Sequence, residues 1–295
     1  MPMTRRALLI MNTKSRSGQD ALKSAIEGLR NHGINPIHRD CGRHEVSPLI
    51  EEHGPQVDMV VVGGGDGTLN AAAAGVLKAE RPMGILPTGT ANDLARTLGI
   101  PTEVDAAIRI ISAGHTRFID IGSVNDKLFF NVASIGLSAE LAQELTRDVK
   151  RRFGKLGYAL AAMKVLSQAR PFRATISDSS GSFRSLTLQV AVGNGRFYGG
   201  GNIVASGAQI DDGTLDLYSL EFLHAWRLAL LFRSFRRGEH TELSDVRALR
   251  DTHFEIKTRH PRPVNADGEI VSETPAIFRV RPKALEVIVP EAKSV

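Results

Sequence analysis

Unbroken apolar runs alternate with amphipathic stretches through the first third of the chain, and this alternation predicts strands and helices in turn. Ala7–Met11, Met59–Val62 and Met83–Leu86 are apolar at every position, as expected of parallel strands buried on both faces. Ala21–Leu29 instead places its apolar residues at helical spacing, and helices are also expected over Val46–His53, Leu69–Lys78 and Asn92–Leu98. A short strand is predicted near Pro36–His38. Strand-helix alternation of this kind implies a parallel sheet with right-handed crossovers, whose ligands bind beyond the carboxyl ends of the strands. Three polar loops follow those ends: residues Asn12–Gly18, Gly63–Asn70 and Thr88–Asp93.

The pattern changes after about Gly122. Lys127–Ala133, Arg173–Ser177, Ser185–Val192, Thr214–Leu220, His253–Lys257 and Ala276–Val280 read as strands joined by Gly-, Asp- and Pro-rich turns. One helical block, Leu137 to about Gln168, interrupts them, with a break near Gly154–Gly157. The expected organisation is therefore two domains, α/β over residues 1–122 and β-rich over 123–295, with the last strand, Leu285–Val289, able to return to either.

The second polar loop carries the clearest chemistry. Gly63, Gly64, Gly65 and Gly67 lack a Cβ, so their backbone can turn sharply and bring N–H groups close to phosphate oxygens. The following helix offers its N-terminal dipole to the same anion. Asp66 repels phosphate and is expected either to bind Mg²⁺ through water or to hold the loop by hydrogen bonds. No Gly-Lys-Ser/Thr follows, which excludes a Walker A loop, and a dinucleotide fingerprint begun at Gly63 would need its last glycine at Thr68. His38-Arg39-Asp40 matches a protein-kinase tripeptide by chance, since Glu45 stands where Asn is required and no Asp-Phe-Gly occurs. In the third loop Gly89 permits a bend, Thr90 offers a hydroxyl and an N–H, and Asn92 or Asp93 can cap the next helix.

Composition narrows the partners. The net charge of +5 favours anions, whether nucleotide, nucleic acid or anionic lipid. With aromatics at 5% and no zinc spacing or RNA-binding signature, nucleic acid is set aside. Cys41 is the only cysteine, so no intrachain disulfide can form and a reducing compartment is expected. The apolar stretch after Arg5 and Arg6 stops at Asn12, too short for a signal peptide, and Arg227 interrupts the best candidate span. A soluble, cytoplasmic protein is the expectation.

Five segments together resemble the YegS-like bacterial lipid kinases of the diacylglycerol kinase catalytic-domain superfamily: Gly64–Thr68, Leu86–Asp93, Gly193–Gly201, Asp212–Leu215 and Asn265–Glu269. They cover nearly the whole chain in the family's order. The resemblance implies a three-layer α/β nucleotide-binding domain and a β-rich, sandwich-like domain, with ATP and Mg²⁺ as cofactors and a membrane lipid as acceptor. It implies ATP contacts at Asn12, Gly64, Gly65, Asp66, Gly67, Thr68, Asn70 and Thr90, although Thr13 replaces the proline usual after that Asn. It implies Asp267 as general base, with Glu269 orienting the site or sharing its metal; the same Asp-Gly, read by itself, is a β-turn signal. It also implies Mg²⁺ on the Asp212 carboxylate and the carbonyls of Gln209 and Thr214, away from the phosphate. Two basic clusters, Arg147, Lys150, Arg151, Arg152 and Lys155, and Arg233, Arg236 and Arg237, compete as the face toward anionic lipid. An NAD kinase and a non-catalytic nucleotide- or lipid-binding regulator are the alternatives. The lipid headgroup and the oligomeric state are not readable, and a homodimer stays open.

Overall fold

Apolar runs that do not alternate form the centre of a parallel sheet. The protein was analysed as a computed structural model that describes residues 5–11, 16–40, 45–144, 169–203, 207–221 and 245–291. Its first elements are β1 (Arg5–Met11), α1 (Arg16–Asn31), β2 (Ile34–Arg39), α2 (Val46–His53), β3 (Met59–Gly64), α3 (Asp66–Ala79), β4 (Met83–Pro87), α4 (Asp93–Thr97) and α5 (Val104–Ala113). The strand order β2-β1-β3-β4 is parallel throughout, and the end of the last strand lies beyond β4, with Val287 opposite Met83. Right-handed crossovers fix the layers. The connection through α1 moves one way along the sheet and those through α2 and α3 move the other, so α1 covers one face and the α2–α3 pair the opposite face. α5, which periodicity alone did not place, packs with α1, and a Cβ on Gly28 would strike the Ile108 side chain.

The rest of the chain is mostly strand: β5 (Thr116–Val124), β6 (Lys127–Phe129), β7 (Val132–Gly136), α6 (Leu137–Glu144), β8 (Phe172–Asp178), β9 (Gly181–Thr187), β10 (Gln189–Gly193), β11 (Phe197–Tyr198), β12 (Asn202–Ile203), β13 (Leu215–Leu220), β14 (Val246–Asp251), β15 (His253–Thr258), β16 (Pro263–Ala266), β17 (Glu269–Glu273) and β18 (Ala276–Ile288). The chain divides into two units, Met1–Asp120 with Lys283–Val295, and Ile121–Pro282. In the second, a six-stranded antiparallel sheet, β14-β13-β10-β7-β16-β17, faces an antiparallel run β18-β15-β8-β9. Phe129, Ile135, Val190, Val192, Leu217, Phe254, Ile256 and Phe278 fill the space between these layers. Ala191, Tyr218 and Leu220 belong to a second buried cluster on the other face of the six-stranded sheet, and β10 is buried at every position.

Two expected strands are each split. Lys127–Ala133 breaks at Phe130-Asn131, and Ser185–Val192 breaks at Leu188. At the second break the chain passes between sheets: Thr187 Oγ1 lies 2.8 Å from the Gln189 carbonyl oxygen and 2.9 Å from that of Leu220, kinking the backbone. Conversely, the two runs expected at Ala276–Val280 and Leu285–Val289 are one strand, β18. Of the long helical block only α6 falls within the described residues.

α3 carries the glycine loop at its N-terminus, so its seating on α2 matters to the site. The Ser47 hydroxyl donates to the Ala71 carbonyl (2.7 Å) and accepts the Gly75 N–H (2.9 Å). Helix propensity alone would make Gly75→Ala stabilising by about 1 kcal/mol. The added Cβ, however, would lie 2.6 Å from the Ser47 carbonyl oxygen and 2.9 Å from Ile50 Cβ. Gly75→Ala is therefore expected to lower the unfolding free energy by about 1–2 kcal/mol in urea titration, overpacking outweighing propensity. An unchanged or raised midpoint would refute that seating.

Candidate active site

β1, β3 and β4 are adjacent, and their register places Met11 opposite Gly63 and Gly64 opposite Pro87. The glycine loop and the Thr88–Asp93 loop thus leave one edge of the sheet side by side. Asn12 follows Met11 there and lies outside the described residues.

The glycines first serve each other. A Cβ on Gly89 would sit 2.3 Å from Gly65 Cα, and one on Gly64 would sit 2.6 Å from Thr68 Cβ. The Thr88 N–H also donates to the Gly64 carbonyl at 3.2 Å. The two loops therefore meet backbone to backbone. α3 begins at Asp66 rather than at Leu69, with Gly65 extended at its N-cap, so Gly67, Thr68 and Asn70 belong to the helix itself. Thr88, Gly89 and Thr90 are exposed, while Gly64 to Thr68 and Asn70 are half-buried. First-turn amides beside an exposed Gly-Thr segment can hold the oxygens of a polyphosphate.

Asp66 holds the loop by a hydrogen bond, one of the two roles expected of it. Its Oδ1 accepts the Leu94 N–H at 3.0 Å and so caps α4 from across the loop. Asn92 does not cap α4. It adopts a left-handed conformation (φ 52°) and turns its side chain back on the loop, accepting the Gly89 N–H at 3.0 Å and donating to the carbonyls of Gly89 (3.0 Å) and Pro87 (3.3 Å).

The second unit holds Asp267 in the turn between β16 and β17. Asp267 has φ 46° and Gly268 φ 91°, and the Gly268 N–H donates to Asn265 Oδ1 at 3.1 Å. The carboxylate accepts three successive backbone N–H groups: Phe130 on Oδ2 at 2.7 Å, then Asn131 and Val132 on Oδ1 at 3.0 and 3.1 Å. Its own N–H donates to the Val132 carbonyl at 3.0 Å. Here lies the cause of the break after β6: Phe130 and Asn131 spend their N–H groups on Asp267 instead of on a ladder. Glu269 opens β17 and is exposed.

The Asp212 turn is a separate place in the same unit. Asp212 Oδ1 accepts the Thr214 N–H (3.0 Å) and hydroxyl (2.7 Å), while Oδ2 lies 3.9 Å from an Arg250 nitrogen. Arg250 also donates to Asp216 at 2.8 Å; burial raises the Asp216 carboxyl above its ordinary value, against the lowering by this arginine. Among the described residues no group of three or more His, Cys, Asp or Glu side chains could hold a metal. One carboxylate oxygen and the carbonyls of exposed Gln209 and of Thr214 are hard donors that suit magnesium, but Arg250 already supplies positive charge there. Both basic clusters fall outside the described residues.

Comparison with known proteins assigns these parts. Residues 6–124 match the diacylglycerol kinase catalytic domain, and residues 131–289 match the YegS C-terminal NAD kinase beta sandwich-like domain. A protein of Enterobacter sp. (strain 638) named "Probable lipid kinase YegS-like" is 33% identical over 96% of each chain. The chain belongs to the YegS-like lipid kinase family. A relative of the same name from Pseudomonas aeruginosa (strain UCBPP-PA14) is 31% identical over 97% of this chain and 94% of its own. The crystal structure of a diacylglycerol kinase from Bacillus anthracis str. Sterne is 26% identical, with a TM-score of 0.79 over 100% of both chains. The YegS-like fold, α/β followed by a β-rich domain, is the fold class expected from the sequence.

Sequence reasoning singled out Asp66 and Asp267 but missed their partners. Leu94 and the Phe130–Val132 segment act through main-chain N–H groups, which leave no side-chain signal. If Asp66 chiefly caps α4, Asp66→Ala should cost about 1–2 kcal/mol in chemical denaturation, and Asp66→Asn, which keeps an acceptor oxygen, should restore most of it. Equal losses in both variants would show that charge, not capping, is what the position requires.

Proposed function

We propose that this family member transfers the γ-phosphate of Mg-ATP to a hydroxyl of a membrane lipid at the cytoplasmic membrane face. The observation that carries this reading is the pair of loops locked together at Gly65 and Gly89, on the strand ends of a chain whose family is named for lipid kinases. Gly64, Gly65, Gly67, Thr68 and Asn70 on one loop, Thr90 on the other and Asn12 after β1 form the ATP-binding set. Asp66 contributes by capping α4 and so fixing the third loop. Magnesium bound to the nucleotide would neutralise charge on the transferring group.

Asp267 is the general base in this reading. Three N–H groups hold its two oxygens, which meet the substrate hydroxyl as fixed acceptors. A carboxylate is far less basic than the alkoxide of its substrate. The loose transition state of phosphoryl transfer lets the alcohol give up its proton late, so alignment of the nucleophile outweighs base strength. Glu269, two residues on, orients the acceptor. Diacylglycerol, phosphatidylglycerol and sphingoid lipids all present a suitable hydroxyl, and the basic clusters are the proposed contact with an anionic surface.

Labelled Mg-ATP with a lipid panel in mixed micelles tests this directly. Lipid label is expected, and Asp267→Asn should lower turnover by about 10²–10⁴-fold while ATP affinity stays within about twofold. The description of the second domain's family model favours NAD as the rival acceptor, and label on NAD instead of lipid would establish that reading.

The proposed Mg²⁺ site at Gln209, Asp212 and Thr214 has its own test. Because Arg250 faces Asp212 Oδ2, the native protein should bind Mg²⁺ weakly in calorimetry, Arg250→Met about tenfold more tightly, and Asp212→Asn not at all. Equal binding in all three would place the ion elsewhere.

A further inference from the structure

The Gly193–Gly201 stretch belongs to the family resemblance but has no part in the chemistry described so far, and its first residues grip the segment that holds Asp267. Asn194 is 3% exposed. Its Nδ2 donates to the Phe130 carbonyl at 2.9 Å and its N–H to the Asn131 carbonyl at 2.8 Å. The Gly195 N–H reaches the same Asn131 oxygen at 3.1 Å. Segment 130–132 is thus fixed on both sides: its carbonyls accept from Asn194 and Gly195, while its N–H groups donate to the Asp267 carboxylate. The fit is close, since a Cβ on Gly195 would lie 2.9 Å from Asn131 Oδ1 and 3.2 Å from the Phe130 carbonyl oxygen.

We infer that Asn194 is a positioning residue for the phosphoryl acceptor site: it fixes the three amides that aim Asp267, and touches neither nucleotide nor lipid itself. The inference rests on the assignment of Asp267 as general base. Phe130 and Asn131 lie between β6 and β7, outside any strand ladder, and only Val132 is paired, opposite Gly193. Without Asn194, three donors would lose their common alignment, and a displacement on the order of 1 Å at a catalytic group costs up to about a hundredfold in rate. The asparagine is suited to this because a neutral amide can donate to a carbonyl without placing a buried charge beside the carboxylate.

A double-mutant cycle tests it. Asn194→Ala should lower kcat for lipid phosphorylation about tenfold to a hundredfold, with KM for ATP and for lipid within about twofold. In the Asp267→Asn background the same change should lower kcat no further, because its only route to the reaction is already lost. Hydrogen exchange at the amides of Phe130, Asn131 and Val132 should quicken in Asn194→Ala. Should that variant fail to fold, Gly195→Ala disturbs the same segment from the other side without removing a buried polar group, and the same non-additivity is expected. Asp267→Asn impaired while Asn194→Ala turns over normally would overturn the inference and leave the base assignment standing. An equal fall in kcat in both backgrounds would overturn it too. Asp267→Asn with wild-type turnover would instead remove the base assignment beneath it.

Discussion

Where backbone pairing stops in the described residues, aspartates accept N–H groups that would otherwise go without a partner, and two of them, Asp66 and Asp267, belong to the candidate site. Asp267 takes three amides at the break after β6, Asp66 takes the Leu94 amide at the start of α4, and Asp120 takes the Lys283 amide at 2.7 Å. Asp251 does the same for Ser179 and Thr252 at the turn after β14, and its bonds, that from the Ser179 side chain foremost, hold its carboxyl well below the usual carboxylate range. A buried N–H without an acceptor costs as much as a lost hydrogen bond, and an ionised acceptor roughly doubles the strength of the bond that replaces it.

For Asp267 this creates a tension between structure and chemistry. A carboxylate is intrinsically a weak base, and the lone pairs it gives to amides are committed to holding it in place. An enzyme that needed a strong base would not place it here. Phosphoryl transfer does not: little negative charge has to build on the nucleophile before the phosphorus–oxygen bond to the leaving group loosens. A rigidly aimed, weakly basic oxygen is then better than a mobile, more basic one, and the anchoring is compatible with the role rather than opposed to it.

The elements that could be read from the sequence are those whose cause is local. β1, β3 and β4 follow from uninterrupted apolar runs, and α2 from its spacing, with the expected bounds Val46–His53 met at both ends. The errors have distant causes. α3 starts three residues early because Gly65 meets Gly89 and frees Asp66 to begin the helix, and nothing near Asp66 in sequence announces Leu94. The strand through Phe130 breaks for a carboxylate well over a hundred residues away, and the strand through Leu188 breaks because its two halves serve different layers. Asp267 itself became visible through family resemblance, since Asp-Gly between strands carries no more local information than a turn.

The same distinction bears on how much the glycine motif proves. Taken from sequence, a run of glycines before a helix argues for close approach by phosphate. In the folded chain much of that allowance is already used: Gly63 gives way to the Met11 side chain, Gly64 to Thr68 and Gly65 to Gly89. Absence of a Cβ at these positions would be required with no ligand at all. What points to an anion is the consequence of that packing. Close contact at Gly65 and Gly89 sets the first turn of α3 directly beside the exposed Thr88–Thr90 segment, and a helix N-terminus with a second loop of amides and hydroxyls next to it is a site that a single tight turn cannot make. The proposed anion site therefore rests on the pairing of two loops, and the glycines matter chiefly because they let the pairing happen.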